Sequence, residues 1–197
     1  MTYLIGLTGS IGMGKSTTAK LFAEEGCAVW DADAAVHRLY SAGGAAVAPM
    51  GEAFPTAVLE GAISRDALKT VIADDPQALR RIEQIVHPLV AEDRLAFIRA
   101  TEADIVVLDI PLLFEGGGHQ GMDLTVCVSV PAELQRLRVL ERGTMSEDQF
   151  EMIKSKQMPD AEKRALADRV VITDTLDHAR QQVQSIVADV RQKLGNA

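Results

Sequence analysis

Eight consecutive residues, Gly9-Ser10-Ile11-Gly12-Met13-Gly14-Lys15-Ser16, meet every fixed position of the pattern G-x-x-x-x-G-K-[ST]. Glycines at Gly9, Gly12 and Gly14 let the backbone curl into a nest of N–H groups for phosphate oxygens. Lys15 then reaches the outer phosphates and the Ser16 hydroxyl holds Mg²⁺, with Met13 and Thr17 counted among the nucleotide contacts. The chemistry such a loop serves is nucleotide binding and phosphoryl transfer. That chemistry also calls for carboxylates and further cations, and the chain offers both. Asp31 and Asp33 follow a short apolar run, Asp109 ends a longer one, and Arg136, Arg138 and Arg142 cluster ahead of Gly143.

These groups need elements to position them. Thr2 to Leu7 is a short apolar, β-branched run, and Ser16 to Glu25 has helical spacing, so strand, loop and helix follow in the order a phosphate loop requires. Cys27-Ala28-Val29-Trp30 reads as a second strand that ends at Asp31-Ala32-Asp33, where open α/β sheets bind ligands. A helix over 34–40 follows, with Asp33 at or near its cap. Capping and catalysis are both open to Asp33, and the two are compatible. From Ser41 to Gly61 the periodicity is weak. Ser64 caps a helix to about Ala73, and Asp75-Pro76 opens another whose Leu79, Ile82, Ile85 and Val86 share one face. His87-Pro88 interrupts that helix, and Leu89 to Thr101 resumes it. The largely helical stretch 41–103 is long for a simple crossover; it is either an inserted substrate-binding region or plain packing.

Asp104 to Ile110 and Leu124 to Val130 are near-continuous apolar runs, as expected of strands buried on both faces of a parallel sheet. Asp109, near the end of the first, suits the acidic element that helps hold Mg²⁺. Gly116-Gly117-Gly118 is read as a connection, since no Lys or Ser/Thr follows at useful spacing. Pro131 opens a helix to Glu141, and Ser146-Glu147-Asp148-Gln149 is a capping box that starts the next. This hairpin, part of a region spanning 136–165, suits a lid that brings arginines over phosphates; the alternative leaves those arginines solvated. Asp160 caps a helix to Ala167, Arg169 to Thr173 is the last strand, and a helix from Leu176 to Leu194 closes the chain. Strands alternate with crossovers, so the fold class expected is α/β: a three-layer α/β/α phosphate-loop NTPase domain with a five-stranded parallel sheet, a helical insertion and a helical lid.

The 197 residues suit one such domain, and a net charge of −8 with interspersed signs argues against a nucleic-acid groove. No apolar run reaches membrane-spanning length, and no signal-peptide pattern is seen, so a cytoplasmic protein without membrane partners is expected. Cys27 and Cys127 sit in apolar runs and read as buried free thiols.

Taken together, Leu7 to Ser16, Asp31-Ala32-Asp33, His87-Pro88, Pro111-Leu112-Leu113-Phe114-Glu115, Arg142-Gly143, Gln157 and Ala167-Asp168 closely resemble, in order and spacing, the dephospho-coenzyme A kinases. The resemblance covers essentially the whole chain. It implies transfer of the ATP γ-phosphoryl group to the ribose 3′-hydroxyl of dephospho-coenzyme A, the last step of coenzyme A synthesis. It implies Asp33 as the base for that hydroxyl, and Lys15 and Arg142, with Arg138, on the phosphates. His87 and the segment Pro111, Leu112, Leu113, Phe114 and Glu115 would form the acceptor site. Apart from the resemblance, phosphate-loop chemistry itself assigns Mg²⁺ to Ser16 and Asp109, with Asp31 either sharing the ion or contacting its ligands. The substrates are then ATP and dephospho-coenzyme A, and a monomer or weak homo-oligomer is expected. Two departures stand out. Ser10 replaces a frequent Gly, its side chain expected to point outward, and Ile172-Thr173-Asp174-Thr175 replaces the Asn- and Gly-containing turn that lies near the adenine in the family.

Other functions make different demands. A GTPase switch calls for Asn-Lys-x-Asp after a late strand, which is absent. A nucleoside monophosphate kinase shares the loop and lid, yet does not predict Asp-Ala-Asp together with Pro-Leu-Leu-Phe-Glu.

Overall fold

The computed structural model describes residues 2–195. The chain divides into two compact units. Residues up to Trp30 join those from Glu102 onward in one, and Asp31–Thr101 form the other.

The first unit is built on strands β1 (Tyr3–Thr8), β2 (Ala28–Asp31), β5 (Ile105–Asp109), β6 (Leu124–Ser129) and β7 (Arg169–Ile172), in the spatial order β2-β5-β1-β6-β7. It is the five-stranded parallel sheet flanked by helices that alternation of strand and helix predicts. All five residues of β5 and all six of β6 are buried, which is why both read as near-continuous apolar runs, with Asp109, Thr125 and Ser129 as the buried polar exceptions. β1 lies between them, pairing Leu7 with Asp109 on one side and with Val126 on the other. Strand order reverses at β1, so the loop after it leaves the sheet at a topological switch point.

Helix α1 (Lys15–Glu24) buries Thr18, Ala19, Leu21 and Phe22, and α9 (Leu176–Gly195) buries Ala179, Val183, Ile186, Val187 and Val190 at helical spacing. Both stripes join Ile5, Leu7, Val126 and Val128 in one core. After β6 come α6 (Ala132–Glu141), α7 (Glu147–Ser155) and α8 (Asp160–Leu166). The capping box at α7 is present as expected, with Ser146 accepting from the Gln149 N–H and Gln149 from the Ser146 N–H. Asp160 is not a cap. Pro159 holds the cap position of α8, and the Asp160 side chain instead accepts from the Ser129 hydroxyl at 2.8 Å.

The second unit contains α2 (Ala32–Tyr40), α3 (Val47–Ala53), a short hairpin of β3 (Val58–Leu59) and β4 (Ala62–Ile63), α4 (Arg65–Asp74) and α5 (Ala78–Ala100). Its own core gathers Leu39, Met50, Phe54, Ile63, Ile82 and Val86. Four sequence expectations change here. The cap of α2 is Asp31, whose Oδ1 accepts the Ala34 N–H at 2.9 Å, and Asp33 lies within the first turn. Helix α3 and the hairpin occupy a stretch too rich in Gly, Ala and Pro to show a period. Pro76 sits in a turn ahead of α5, with the Asp75 side chain accepting from the Gln77 N–H, and the buried face starts at Ala78 while Leu79 is exposed. Finally, α5 runs unbroken through Pro88. His87 and Pro88 lie on its exposed side, where water can satisfy the carbonyl that loses its donor, and buried Ile82 and Val86 secure the helix before the proline.

Candidate active site

Strand β1 delivers the loop. Thr8, its last residue, is buried and donates its hydroxyl to the Pro111 carbonyl at 3.0 Å. Gly9 packs directly on Val128, leaving no room for a Cβ. Gly14 caps α1 in the left-handed region at φ 93°, and a Cβ there would lie 2.8 Å from the Thr173 hydroxyl.

The loop backbone is braced at two residues. Ile11 donates its N–H to Gln157 Oε1 at 3.0 Å and accepts from Gln135 Nε2 at 2.7 Å. Met13 accepts from the Thr173 hydroxyl at 2.6 Å, while its buried thioether accepts the Val130 N–H at 3.2 Å. Ser10 is buried, not turned outward as the sequence suggests. A braced loop keeps its shape without ligand, so the ordering cost of binding falls.

Electrostatics favour an anion at the start of α1. The helix has no side-chain cap and no acidic residue in its first turn, so its partial positive charge is left to a ligand. Ser16 and Thr17 are exposed there. Lys15 pairs with Asp109, which is 2% exposed. The lysine and the acid expected to hold Mg²⁺ are thus brought together within one unit.

A cleft of about 420 Å³ opens beside the loop, lined by Gly14, Thr17, Arg138, Arg142, Thr173 and Thr175 among others. Arg138 and Arg142 stand one turn apart at the end of α6. Arg138 is engaged at the end of β7, donating to the Thr173 hydroxyl at 3.2 Å, the Thr173 carbonyl at 2.6 Å and the Asp174 carbonyl at 3.2 Å. Arg142 is exposed. Arg136 turns away, pairing with Glu147 of α7. Beyond Thr173, the His178 ring lies 2.7 Å from Asp174, and this hydrogen bond holds the Asp174 carboxyl below its usual range.

The segment 111–115 divides by burial. Leu113 and Phe114 are turned into the protein at 0% and 6% exposure, whereas Leu112 is 48% exposed. Within the segment, Leu112 is thus the apolar side chain presented to solvent, with Pro111 half-buried. Glu115 is also engaged: it accepts the Met158 N–H at 2.9 Å and pairs with Lys163 at 2.9 Å. Burial alone would raise its pKa; the Met158 N–H, its own N–H and the Lys163 ammonium outweigh that and lower it. In the second unit, Asp33 and His87 are exposed, and Asp31 is occupied as a cap.

The family model for dephospho-CoA kinase matches residues 3–178. The chain belongs to the dephospho-CoA kinase family. Curated dephospho-CoA kinases similar to it include that of Ruegeria pomeroyi, 66% identical with 97% of each chain covered, and that of Cereibacter sphaeroides, 56% identical with 96% of each covered. A solved structure from Thermus thermophilus matches at a TM-score of 0.85 and 33% identity, covering 95% of this chain and 97% of its own. The dephospho-CoA kinase of Campylobacter jejuni shares the fold at a TM-score of 0.72, with 22% identity and full coverage of both chains.

Two polar residues with structural parts in this dephospho-CoA kinase family site escape the sequence motifs: Gln135 and Lys163. Both are buried, as is Thr173 of the departing turn, which directly follows β7. The signal of the two is a polar side chain at a position where helical periodicity calls for an apolar one. Gln135 precedes the buried Val139 by one helical turn.

Proposed function

We propose that this chain transfers the γ-phosphoryl group of ATP to the ribose 3′-hydroxyl of dephospho-coenzyme A, giving coenzyme A and ADP. Family membership supports the reaction. The observation that carries it is the braced phosphate loop leading into an uncapped α1, with Arg142 exposed on the adjoining cleft. A transfer of this kind needs little covalent help from the protein; it needs placement and charge.

Each residue then has a part. The loop amides from Gly9 to Gly14 and the start of α1 hold the phosphates, with Thr17 beside them. Lys15 leaves or shares Asp109 to meet the outer phosphates, and Arg142 adds charge as the phosphoryl group moves. Arg138 shapes the nucleotide side of the cleft through Thr173 and Asp174. The residues present fit Mg²⁺: the exposed Ser16 hydroxyl and the Asp109 carboxylate are hard oxygen donors of the kind that would hold it. When bound, Mg²⁺ neutralises developing charge on the phosphates. Asp31, already a cap, would meet it through water. Asp33 takes the proton of the 3′-hydroxyl as that oxygen bonds to the γ-phosphorus and the bond to the β-bridging oxygen breaks. His87, Pro111 and Leu112 contact the acceptor, with Leu113, Phe114 and Glu115 supporting from within.

No helix among the described residues is long and apolar enough to cross a membrane. We place the protein in the cytoplasm as a monomer or weak homo-oligomer; the free, buried Cys27 and Cys127 accord with a reducing compartment.

An ADP-release assay with dephospho-coenzyme A, AMP and shikimate as acceptors tests the reading. Turnover with dephospho-coenzyme A alone is expected, with the product gaining one phosphate. Turnover with AMP or shikimate, and none with dephospho-coenzyme A, overturns it.

A further inference from the structure

Lys163, on α8, is a fully buried cation, at 0% side-chain exposure. A lysine in such a place is costly unless its charge is matched and its donors are used. Here both conditions are met. Its ammonium donates to the Pro111 carbonyl at 2.9 Å and pairs with Glu115 Oε1 at 2.9 Å and Oε2 at 3.3 Å. Glu115 Oε1 also accepts the N–H of Met158, one residue before the proline that caps α8. The same Pro111 carbonyl accepts the Thr8 hydroxyl at 3.0 Å, and Thr8 immediately precedes Gly9. Three stretches therefore meet through the two groups this ammonium holds, the Pro111 carbonyl and the Glu115 carboxylate: the end of β1 where the phosphate loop begins, the segment that leaves β5, and the start of α8.

We propose that Lys163 is a positioning residue for the acceptor, its ammonium clamping both ends of the 111–115 segment through the Pro111 carbonyl and the Glu115 carboxylate. This rests on the reading above, in which that segment contacts dephospho-coenzyme A. The segment winds into a tight turn that closes just past Glu115, with Gly116 N–H donating to the Leu112 carbonyl at 3.0 Å and Gly117 N–H to the Phe114 carbonyl at 3.1 Å. Leu113 and Phe114 fill the interior beneath it and Leu112 is presented outward. An apolar side chain in place of Lys163 would fill the volume but hold neither end. The geometry also recasts Glu115. Its carboxylate is committed to Met158 and Lys163, so it sets the segment's shape and does not grip the substrate.

The test uses Lys163→Met and the double variant Lys163→Met/Glu115→Gln, the second removing the carboxylate charge that the first leaves unpaired. The KM for dephospho-coenzyme A is expected to rise about tenfold or more, as for a misplaced substrate contact, while the KM for ATP holds. Amide exchange at Gly116 and Gly117 should speed up by a similar factor, with the Ile11 amide unchanged. An unchanged acceptor KM in a folded variant overturns the proposal, as does an equal rise in both KM values. Failure of both variants to fold also overturns it, in favour of a purely architectural lysine. Were the wild-type chain inactive on dephospho-coenzyme A, the functional reading would fail, and the exchange rates would still decide whether Lys163 clamps the segment.

Discussion

Gln157 accepts the Ile11 N–H at 3.0 Å, so the middle of the phosphate loop is held by a side chain 146 positions further along the chain. Gln135 completes the grip on the Ile11 carbonyl. The loop's shape thus depends on the region after β6 as well as on its own glycines.

Gln135→Leu keeps the side-chain bulk of this 2% exposed position and strips the Ile11 carbonyl of its donor. An unsatisfied acceptor of this kind costs about 1–3 kcal/mol. The melting temperature should fall by several degrees, and the KM for ATP should rise more than that for the acceptor. Thermal denaturation and two-substrate kinetics check this; a variant with wild-type ATP kinetics means the loop holds its shape alone.

Asp33→Asn isolates a charge, because the cap of α2 belongs to Asp31. Loss of the proton acceptor should lower kcat by roughly 10²-fold or more with substrate affinities nearly unchanged. The melting temperature should not move. Asp31→Ala is the complement, costing about 1 kcal/mol of stability through the lost cap. A fully active Asp33→Asn protein removes Asp33 from the chemistry.

Arg138 and Arg142 should separate in kinetics although both line the cleft. Arg142→Ala, which removes an exposed cation, should lower kcat with a modest rise in the KM for ATP. Arg138→Ala breaks three hydrogen bonds to Thr173 and Asp174, so it should weaken ATP binding and lower the melting temperature as well. Matched losses in the two variants would assign both arginines to the transferring phosphate.

Asp168 supplies a pH dependence. The Thr125 hydroxyl at 2.7 Å, then the Thr125 N–H at 2.8 Å, hold its carboxyl below the ordinary value. A depressed carboxyl stabilises the fold fully above its unfolded pKa, near 4, and that contribution fades as pH falls through the lower folded value. Thr125→Val should therefore melt lower than wild type at pH 6–7, by an order set by one charged hydrogen bond. The gap should narrow on acidification below about pH 4. A gap independent of pH would assign the loss to the neutral Asp168 N–H bond to the Thr125 hydroxyl.

The phosphate loop and the strands around it were legible because their signals are local. Gly14-Lys15-Ser16 is a fixed spacing, and β5 and β6 are predominantly apolar runs. Pro88 misled because a local backbone preference was outweighed by tertiary burial along a 23-residue helix. Asp31 and Asp33 differ by two positions, within the uncertainty of any helix start read from sequence. Gln135 and Lys163 were illegible for a different reason. Their partners lie 124 and 52 residues away, and no spacing rule links them. Polar residues that shape a site from behind are visible once the chain is folded, whereas residues that face a ligand carry the motif.

Cys27 and Cys127 gain a meaning from the proposed substrate. Burial first of all pushes their thiols up, to about 11 and about 12. Only the thiolate attacks a disulfide, and at neutral pH a thiol with a pKa near 11 is ionised in roughly one molecule in 10⁴. Dephospho-coenzyme A and coenzyme A each end in a thiol of their own. A protein handling both would meet their oxidised, disulfide-linked forms throughout its life. With both cysteine thiols buried and held in the protonated form, the protein presents no ready partner for exchange with a substrate disulfide.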